Sequence, residues 1–161
     1  MRDRRETAFD AVTSAVANSP DAQTAAESAV RLLAQHLPDY TWTGIYVLDG
    51  NELYLGPFVG KPSPHTRIPL GRGICGAAAS EKTTIIVDDV NADPRYLACS
   101  IETRSEIVVP IMLDGEVLGE LDIDSDKPAA FGDEDRALLE RVAALLAPKL
   151  AGSRIRPATH S

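Results

Sequence analysis

The sequence predicts an α+β domain: a central antiparallel sheet with the N- and C-terminal helices on one face and a loop-roofed pocket on the other. Three observations predict it. Helix-period stretches stand at both ends of the chain. Between them lie short runs that alternate with a period of two, punctuated by Asp-Gly steps and Gly/Pro clusters. No repeat or linker divides the 161 residues, a length that suits one core. Apolar residues make up 44% of the chain, enough to bury a sizeable core and to argue against disorder.

The elements follow in order. Residues 5–17 place Phe9, Val12, Ala15 and Val16 on one helical face. Ser19-Pro20-Asp21 reads as the N-cap, first helical residue and first-turn acid of a second helix. Its stripe is Ala26, Val30, Leu33 and Leu37, it runs to about His36, and Pro38 stops it. Residues 41–48 alternate as a strand, with Trp42, Gly44, Tyr46 and Leu48 on one face and Ile45 and Val47 on the other. Asp49-Gly50-Asn51 turns the chain into a second strand over 52–58. Residues 60–73 read as a Gly/Pro-rich loop, 74–81 as a short helix and 84–87 as a strand. Residues 88–97, with Pro94 inside, are irregular. Residues 106–113 and 117–124 pair as a hairpin across Asp114-Gly115. A closing helix over 133–146 carries Asp133, Glu134 and Asp135 in its first turn, where acids favour the dipole. Chain beyond Gly152 is expected to fray. The domain is therefore 1–152, with helices in 1–37, sheet, pocket loops and closing helix in 41–150, and a flexible tail at 153–161.

Charge and cysteine usage exclude several classes. A net charge of −8 argues against nucleic acid and against anionic membrane surfaces. No stretch approaches transmembrane length. The charged start Met1-Arg2-Asp3-Arg4-Arg5-Glu6 is not followed by an apolar run, so no signal peptide is expected. Two cysteines are too few for a disulfide scaffold. In a reducing cytoplasm, the expected location, they are free, catalytic or transiently paired.

The residues able to carry chemistry gather around one segment. Arg104-Ser105-Glu106-Ile107-Val108-Val109-Pro110 has Cys99 upstream and Asp122-Ile123-Asp124 downstream. A thiol beside carboxylic acids can attack an electrophile and hand it a proton. Cys75, in Gly73-Ile74-Cys75-Gly76, stands at a helix start, which can lower a thiol pKa. On spacing alone, two buried structural cysteines are the plainer reading. Alternation puts Glu120, Asp122 and Asp124 on one strand face and Leu121 and Ile123 on the other. A solvent-facing side of the sheet is the default for such a run. The alternative is a cavity shared with Trp42 and Tyr46: aromatic faces for a methyl or ammonium group, carboxylates for an amine. Clustered carboxylates also raise one another's pKa, so one can stay protonated and act as an acid. His65 is a lone loop histidine and reads as surface. The three histidines are far apart and suggest no metal cluster. Glu106, Asp122 and Asp124 as a hard-cation set rank below the organic-ligand reading. Gly71-Arg72-Gly73 lacks the ending of a P-loop.

Taken together, these pieces resemble the GAF domain and, within it, the free methionine-(R)-sulfoxide reductases. The resemblance runs from about Trp42 to the last helix. It rests on Trp42-Thr43-Gly44-Ile45-Tyr46, Leu55-Gly56-Pro57-Phe58-Val59-Gly60-Lys61, Gly71-Arg72-Gly73-Ile74-Cys75-Gly76, Asp89-Val90, Ala98-Cys99, Ser105-Glu106-Ile107-Val108-Val109-Pro110 and Gly119-Glu120-Leu121-Asp122-Ile123-Asp124-Ser125, in that order. It implies roles. Cys99 matches the catalytic cysteine and Cys75 a cysteine that resolves the sulfenic acid as a disulfide. Glu106, Asp122 and Asp124 match carboxylates that hold the substrate and assist proton transfer. Trp42 and Tyr46 match an aromatic wall. The implied reaction is thiol-dependent reduction of free methionine sulfoxide, recycled by a thioredoxin-type dithiol in a homodimer, with no metal or organic cofactor. The sequence departs from the pattern in three places. His65 falls where many members carry a third cysteine, Ser100 follows Cys99 where an acid is usual, and Arg95-Tyr96-Leu97 replaces a Gly-His-Ile stretch. A non-catalytic small-molecule or redox sensor is the rival reading, since one fold hosts many functions.

Overall fold

The computed structural model of the chain describes residues 3–97 and 102–158. Cys99 and its neighbours Ala98, Ser100 and Ile101 lie outside the described residues. The helices are α1 (Arg4–Ala17), α2 (Ala22–His36), α3 (Gly73–Glu81) and α4 (Asp133–Gly152), with a 3₁₀ turn at Val90–Ala92. The strands are β1 (Trp42–Asp49), β2 (Glu52–Val59), β3 (Arg67–Pro69), β4 (Ile85–Val87), β5 (Ser105–Leu113) and β6 (Glu116–Ser125). They form one antiparallel sheet in the order β3-β2-β1-β6-β5-β4.

Two cores flank this sheet. On one face α1, α2 and α4 bury Val12, Val30, Leu33, Leu139 and Leu146 against Ile45, Ile107, Leu121 and Ile123. On the other, α3 and β3 close Ala78, Ile74 and Ile68 over Tyr46, Leu55 and Val108. The alternation read in β1 and β6 is thus the alternation observed from Gly119 to Asp124, with Leu121 and Ile123 in the helical core and the acids facing the second layer; an irregularity before Gly119 turns Val117 to that second layer as well.

Four local expectations change. Ser19 does not cap α2. Its hydroxyl donates to the Ala15 carbonyl at 2.7 Å and closes α1. Asp21 is the N-cap, accepting from the Thr24 N–H at 2.8 Å, because a carboxylate there reaches the third helical amide. The loop expected over 60–73 contains β3, whose Ile68 pairs with Leu53. Helix α4 continues past residue 146 and carries Pro148 inside it. Proline removes one helical hydrogen bond, but Leu146 and Ala147 are buried, and Lys149 Nζ donates to the Ser19 carbonyl at 2.7 Å.

The tail is the fourth change. It was expected to fray beyond Gly152, yet residues 153–158 lie against the sheet. Ile155 is 2% exposed and belongs to the helix-side core. Its carbonyl accepts the Tyr54 hydroxyl, the Ala158 N–H donates to the Leu55 carbonyl at 2.7 Å, and the Arg156 N–H donates to Gln23 Oε1 at 2.7 Å. One isoleucine in a polar stretch carries no periodic signal, so this docking had no trace in the pattern. Ile155→Ala is expected to cost about 2–4 kcal/mol in urea unfolding; a loss below about 0.5 kcal/mol would mean that the segment is surface chain.

Candidate active site

The register of the three central strands builds the site. Opposite Asp124 stand Trp42 on β1 and Glu106 on β5; opposite Asp122 stand Gly44 and Val108; opposite Glu120 stand Tyr46 and Pro110. Two of the carboxylates are therefore direct cross-strand neighbours, and the aromatic residues sit one strand away. Side chains on one sheet face two residues apart remain within reach of each other.

The aromatic wall depends on Gly44. A Cβ there would come within 2.4 Å of the Trp42 ring, so only glycine lets that indole lie flat over the strand. Trp42 then stacks on Phe58 at 5.7 Å and approaches Tyr46 at 6.4 Å between ring centroids. Both polar tips hold the connection between β2 and β3. The Trp42 indole N–H donates to the Lys61 carbonyl at 2.9 Å, and the Tyr46 hydroxyl donates to the His65 carbonyl at 2.7 Å. The loop is thereby tied down over the sheet.

Helix α3 supplies Cys75 from above. Gly73 starts it at φ +69°, and a Cβ there would meet Leu97 at 2.8 Å. Tyr46, His65, Ile68, Cys75, Leu97, Glu106 and Asp122 line one narrow, nearly filled cavity. The Cys75 sulfur and one carboxylate oxygen each from Glu106 and Asp122 lie within 4.8 Å of one another. Trp42 and Asp124 line the neighbouring cavity instead, with Lys61, Ser63 and Glu102. Lys61 and Glu102 are ion-paired at 2.6 Å across its mouth.

The acids are not on a solvated face. Glu106, Glu120, Asp122 and Asp124 are all 5% exposed or less, which overturns the default reading of that strand face. Burial pushes Asp122 above the usual carboxylate range, against hydrogen bonds with Glu106 and Cys75 that pull it down. Burial and the charge of Asp122 push Asp124 well up. The same two causes push Glu120 well up. One oxygen each of Asp122 and Asp124, and both of Glu120, have no hydrogen-bond partner. The Cys75 thiol lies close enough to Glu120 to favour its charged form slightly, without bonding geometry.

Cys75 corrects a local expectation. It stands in the first turn of α3, where the dipole should lower its pKa. Burial, then Asp122, Glu120 and Glu106, instead push it well above the ordinary thiol value. A helix terminus contributes about 0.3–2 kcal/mol, while full burial shifts a pKa by as much as 3–5 units. Burial wins, and the resting group is a thiol.

Sequence reasoning brought Trp42, Tyr46, Cys75, Glu106, Asp122 and Asp124 to this layer. The structure unites four of them in one cavity and sets Trp42 and Asp124 beside it. Sequence reasoning missed one residue of the cavity and one buried behind it. His65 was read as surface, but it lines the cavity and its carbonyl receives Tyr46. Glu120 was placed on the right face but given no role, although the alternation that marked Asp122 marked it equally.

The comparisons with known proteins fit this geometry. A family model for the GAF domain matches residues 21–150. The chain belongs to the GAF domain family. Its relatives in that family include free methionine-R-sulfoxide reductases. The one from Escherichia coli strain K12 is 40% identical over 120 residues, 74% of this chain and 72% of that protein. The structure of the type II free methionine-R-sulfoxide reductase from Thermoplasma acidophilum superposes with a TM-score of 0.79 at 39% identity, covering 93% of this chain and 96% of that one. The Neisseria meningitidis enzyme, solved in complex with its substrate, gives a TM-score of 0.87 at 35% identity, covering 94% and 92%.

A buried acid with a raised pKa binds its proton more tightly folded than unfolded. Its presence therefore lowers stability as pH rises from the ordinary carboxylate value toward the raised one. Glu120→Gln removes that loss. Its melting temperature is expected to match the parent near about pH 4 and to exceed it increasingly toward neutrality. An unchanging difference across pH would mean that Glu120 is already charged in the folded protein.

Proposed function

We propose that this protein reduces free methionine-(R)-sulfoxide to methionine with its own two cysteines. The observation that carries the reading is the meeting of Cys75 with Glu106 and Asp122 inside a small aromatic-walled cavity, in a chain whose relatives include proteins named for that reaction. Trp42 and Tyr46 form the apolar wall that receives the sulfoxide's methyl and methylene groups. Glu106, Asp122 and Asp124 hold its ammonium group.

In the first step Cys99 attacks the sulfoxide sulfur as a thiolate. A neutral carboxylic acid protonates the departing oxygen. Asp122 and Asp124 suit this role, because their raised pKa values favour the protonated form. Oxygen passes to Cys99 as a sulfenic acid and methionine leaves, so the sulfoxide is reduced by two electrons and the thiol oxidised by two. Cys75 then attacks the sulfenic sulfur. Its proton goes to a neighbouring carboxylate, Asp122 being the first in line by electrostatic influence. Hydroxide leaves as water and a Cys75–Cys99 disulfide remains. The two Cα atoms must lie within about 7 Å for that bond. An external dithiol of the thioredoxin type returns both thiols by exchange. The domain over 1–152 carries the whole cycle, and a homodimer in the cytoplasm is its expected setting.

The raised pKa of Cys75 has a kinetic meaning here. A thiol that stays protonated does not compete with Cys99 for the sulfoxide. It becomes a nucleophile only when a neighbouring carboxylate takes its proton.

Three measurements test the reading. Racemic free methionine sulfoxide incubated with dithiothreitol is expected to lose only its R epimer by chiral chromatography. No loss of either epimer would make the cavity a ligand-binding site of a sensor. Cys99→Ser is expected to abolish turnover, at least about a thousandfold, while retaining substrate binding; an active variant would remove Cys99 as the nucleophile. Cys75→Ser is expected to release one methionine per chain and then stall with a thioredoxin-type reductant. Unimpaired cycling would mean that another group resolves the sulfenic acid.

A further inference from the structure

The proposed reaction leaves Glu120 unused. Its carboxyl group is fully buried, neither oxygen has a partner, and it does not line the substrate cavity. It lies instead behind Cys75 and Asp122, close enough for both to act on its ionisation. Three buried acids, Asp122, Glu120 and Glu106, therefore act on one buried sulfur, and both oxygens of Glu120 and one of Asp122 have no hydrogen-bond partner. Buried charge of one sign persists only if it is neutralised by protons or by a cation.

We propose that Cys75, Glu106 and Asp122 form a binding site for one borderline-soft divalent cation of the Zn²⁺ class. The Cys75 sulfur and one oxygen each of Glu106 and Asp122 already lie within 4.8 Å of one another, a spacing that a single ion can bridge with metal–sulfur and metal–oxygen bonds near 2.3 and 2.1 Å. The sulfur selects against Mg²⁺ and Ca²⁺, which take oxygen ligands. The unpartnered oxygens of Asp122 and Glu120 stand on the sheet side of the site and add negative charge once the cation displaces their protons. Coordination releases the protons of Cys75 and of Asp122 to solvent and involves no electron transfer. The fourth position faces the cavity, where a water molecule can complete a tetrahedron.

A cation seated there has a consequence that rests on the proposed reductase reading. It occupies the thiol that resolves the sulfenic acid and two carboxylates that hold the substrate ammonium. Metal and methionine sulfoxide then exclude each other, and the reductase is inhibited competitively by Zn²⁺.

The test uses the full chain, fully reduced and stripped of metal by chelation, titrated with CoCl₂ and ZnCl₂. One ion per chain is expected by calorimetry, with a thiolate-to-cobalt charge-transfer band in the near ultraviolet that Zn²⁺ bleaches. Cys75→Ser is expected to lose the band and weaken Zn²⁺ binding roughly a hundredfold, while Cys99→Ser keeps both. Glu120→Gln, which leaves the three ligands and the substrate contacts in place, is expected to weaken binding several-fold without changing turnover in chelated buffer. Absence of stoichiometric binding overturns the site, as does a band that survives Cys75→Ser and disappears in Cys99→Ser. Because the band and the calorimetry do not depend on catalysis, binding without sulfoxide reduction would sink the reductase reading and leave the cation site standing. Turnover without binding would do the reverse.

Discussion

Strand β6 is the constraint from which the rest of the molecule follows. It is paired on both sides, to β1 and to β5, so it is not an edge, and a buried layer covers each of its faces. Leu121 and Ile123 must enter the helical core, and period-two geometry then forces Glu120, Asp122 and Asp124 into the opposite layer. A slip of one residue would put three acids among leucines. The helical core therefore fixes the register of the acids, and the register fixes which side chains they meet.

Holding those acids dry is unfavourable. A buried, unpaired carboxylate costs far more than an ordinary hydrogen bond returns, and the protein answers by keeping several of them protonated. That answer is also a chemical asset. Acids held neutral near neutrality are proton donors in place before the substrate arrives. Strain of this kind concentrates where the chemistry is, and the buried carboxylate on the other side of the sheet is satisfied. Asp135, nearly as buried, accepts from the Tyr40 hydroxyl at 2.6 Å, from Arg5 at 3.1 Å and from the Gly132 N–H at 3.0 Å. It joins the start of α4 to α1 and to the chain entering β1. The two kinds of buried acid are separated by the sheet itself, one set structural and the other poised for reaction.

The second layer shows how small residues place large ones. Gly44 gives the Trp42 ring its floor, and Gly73 gives α3 its start beside Leu97. Trp42 and Tyr46 then spend their polar atoms on the backbone of the loop above, so the wall of the cavity is also the anchor of its roof. An aromatic side chain with an apolar body and one polar tip is suited to both tasks. The same packing decides Cys75. Its position on a helix start favours a thiolate locally, yet the acids beneath and the loss of water outweigh the dipole.

Much of this was legible in the chain. Alternation in β1 and β6, the Asp-Gly hairpin, the two N-terminal helices and the first-turn acids of α4 are local patterns, and each encodes its own geometry. The site residues were legible as types and as a face: Trp42 and Tyr46 on one strand, Asp122 and Asp124 on another. What one segment cannot encode is decided by a partner far away in sequence. Whether the acid face meets water or α3, whether His65 points to solvent or closes the cavity, and whether Ile155 frays or docks against β2 all depend on long-range pairing. Sequence determined the faces, because side-chain direction follows from backbone period. Tertiary structure alone decided what each face touches, because burial, and with it every pKa in the site, is a property of the assembled layers.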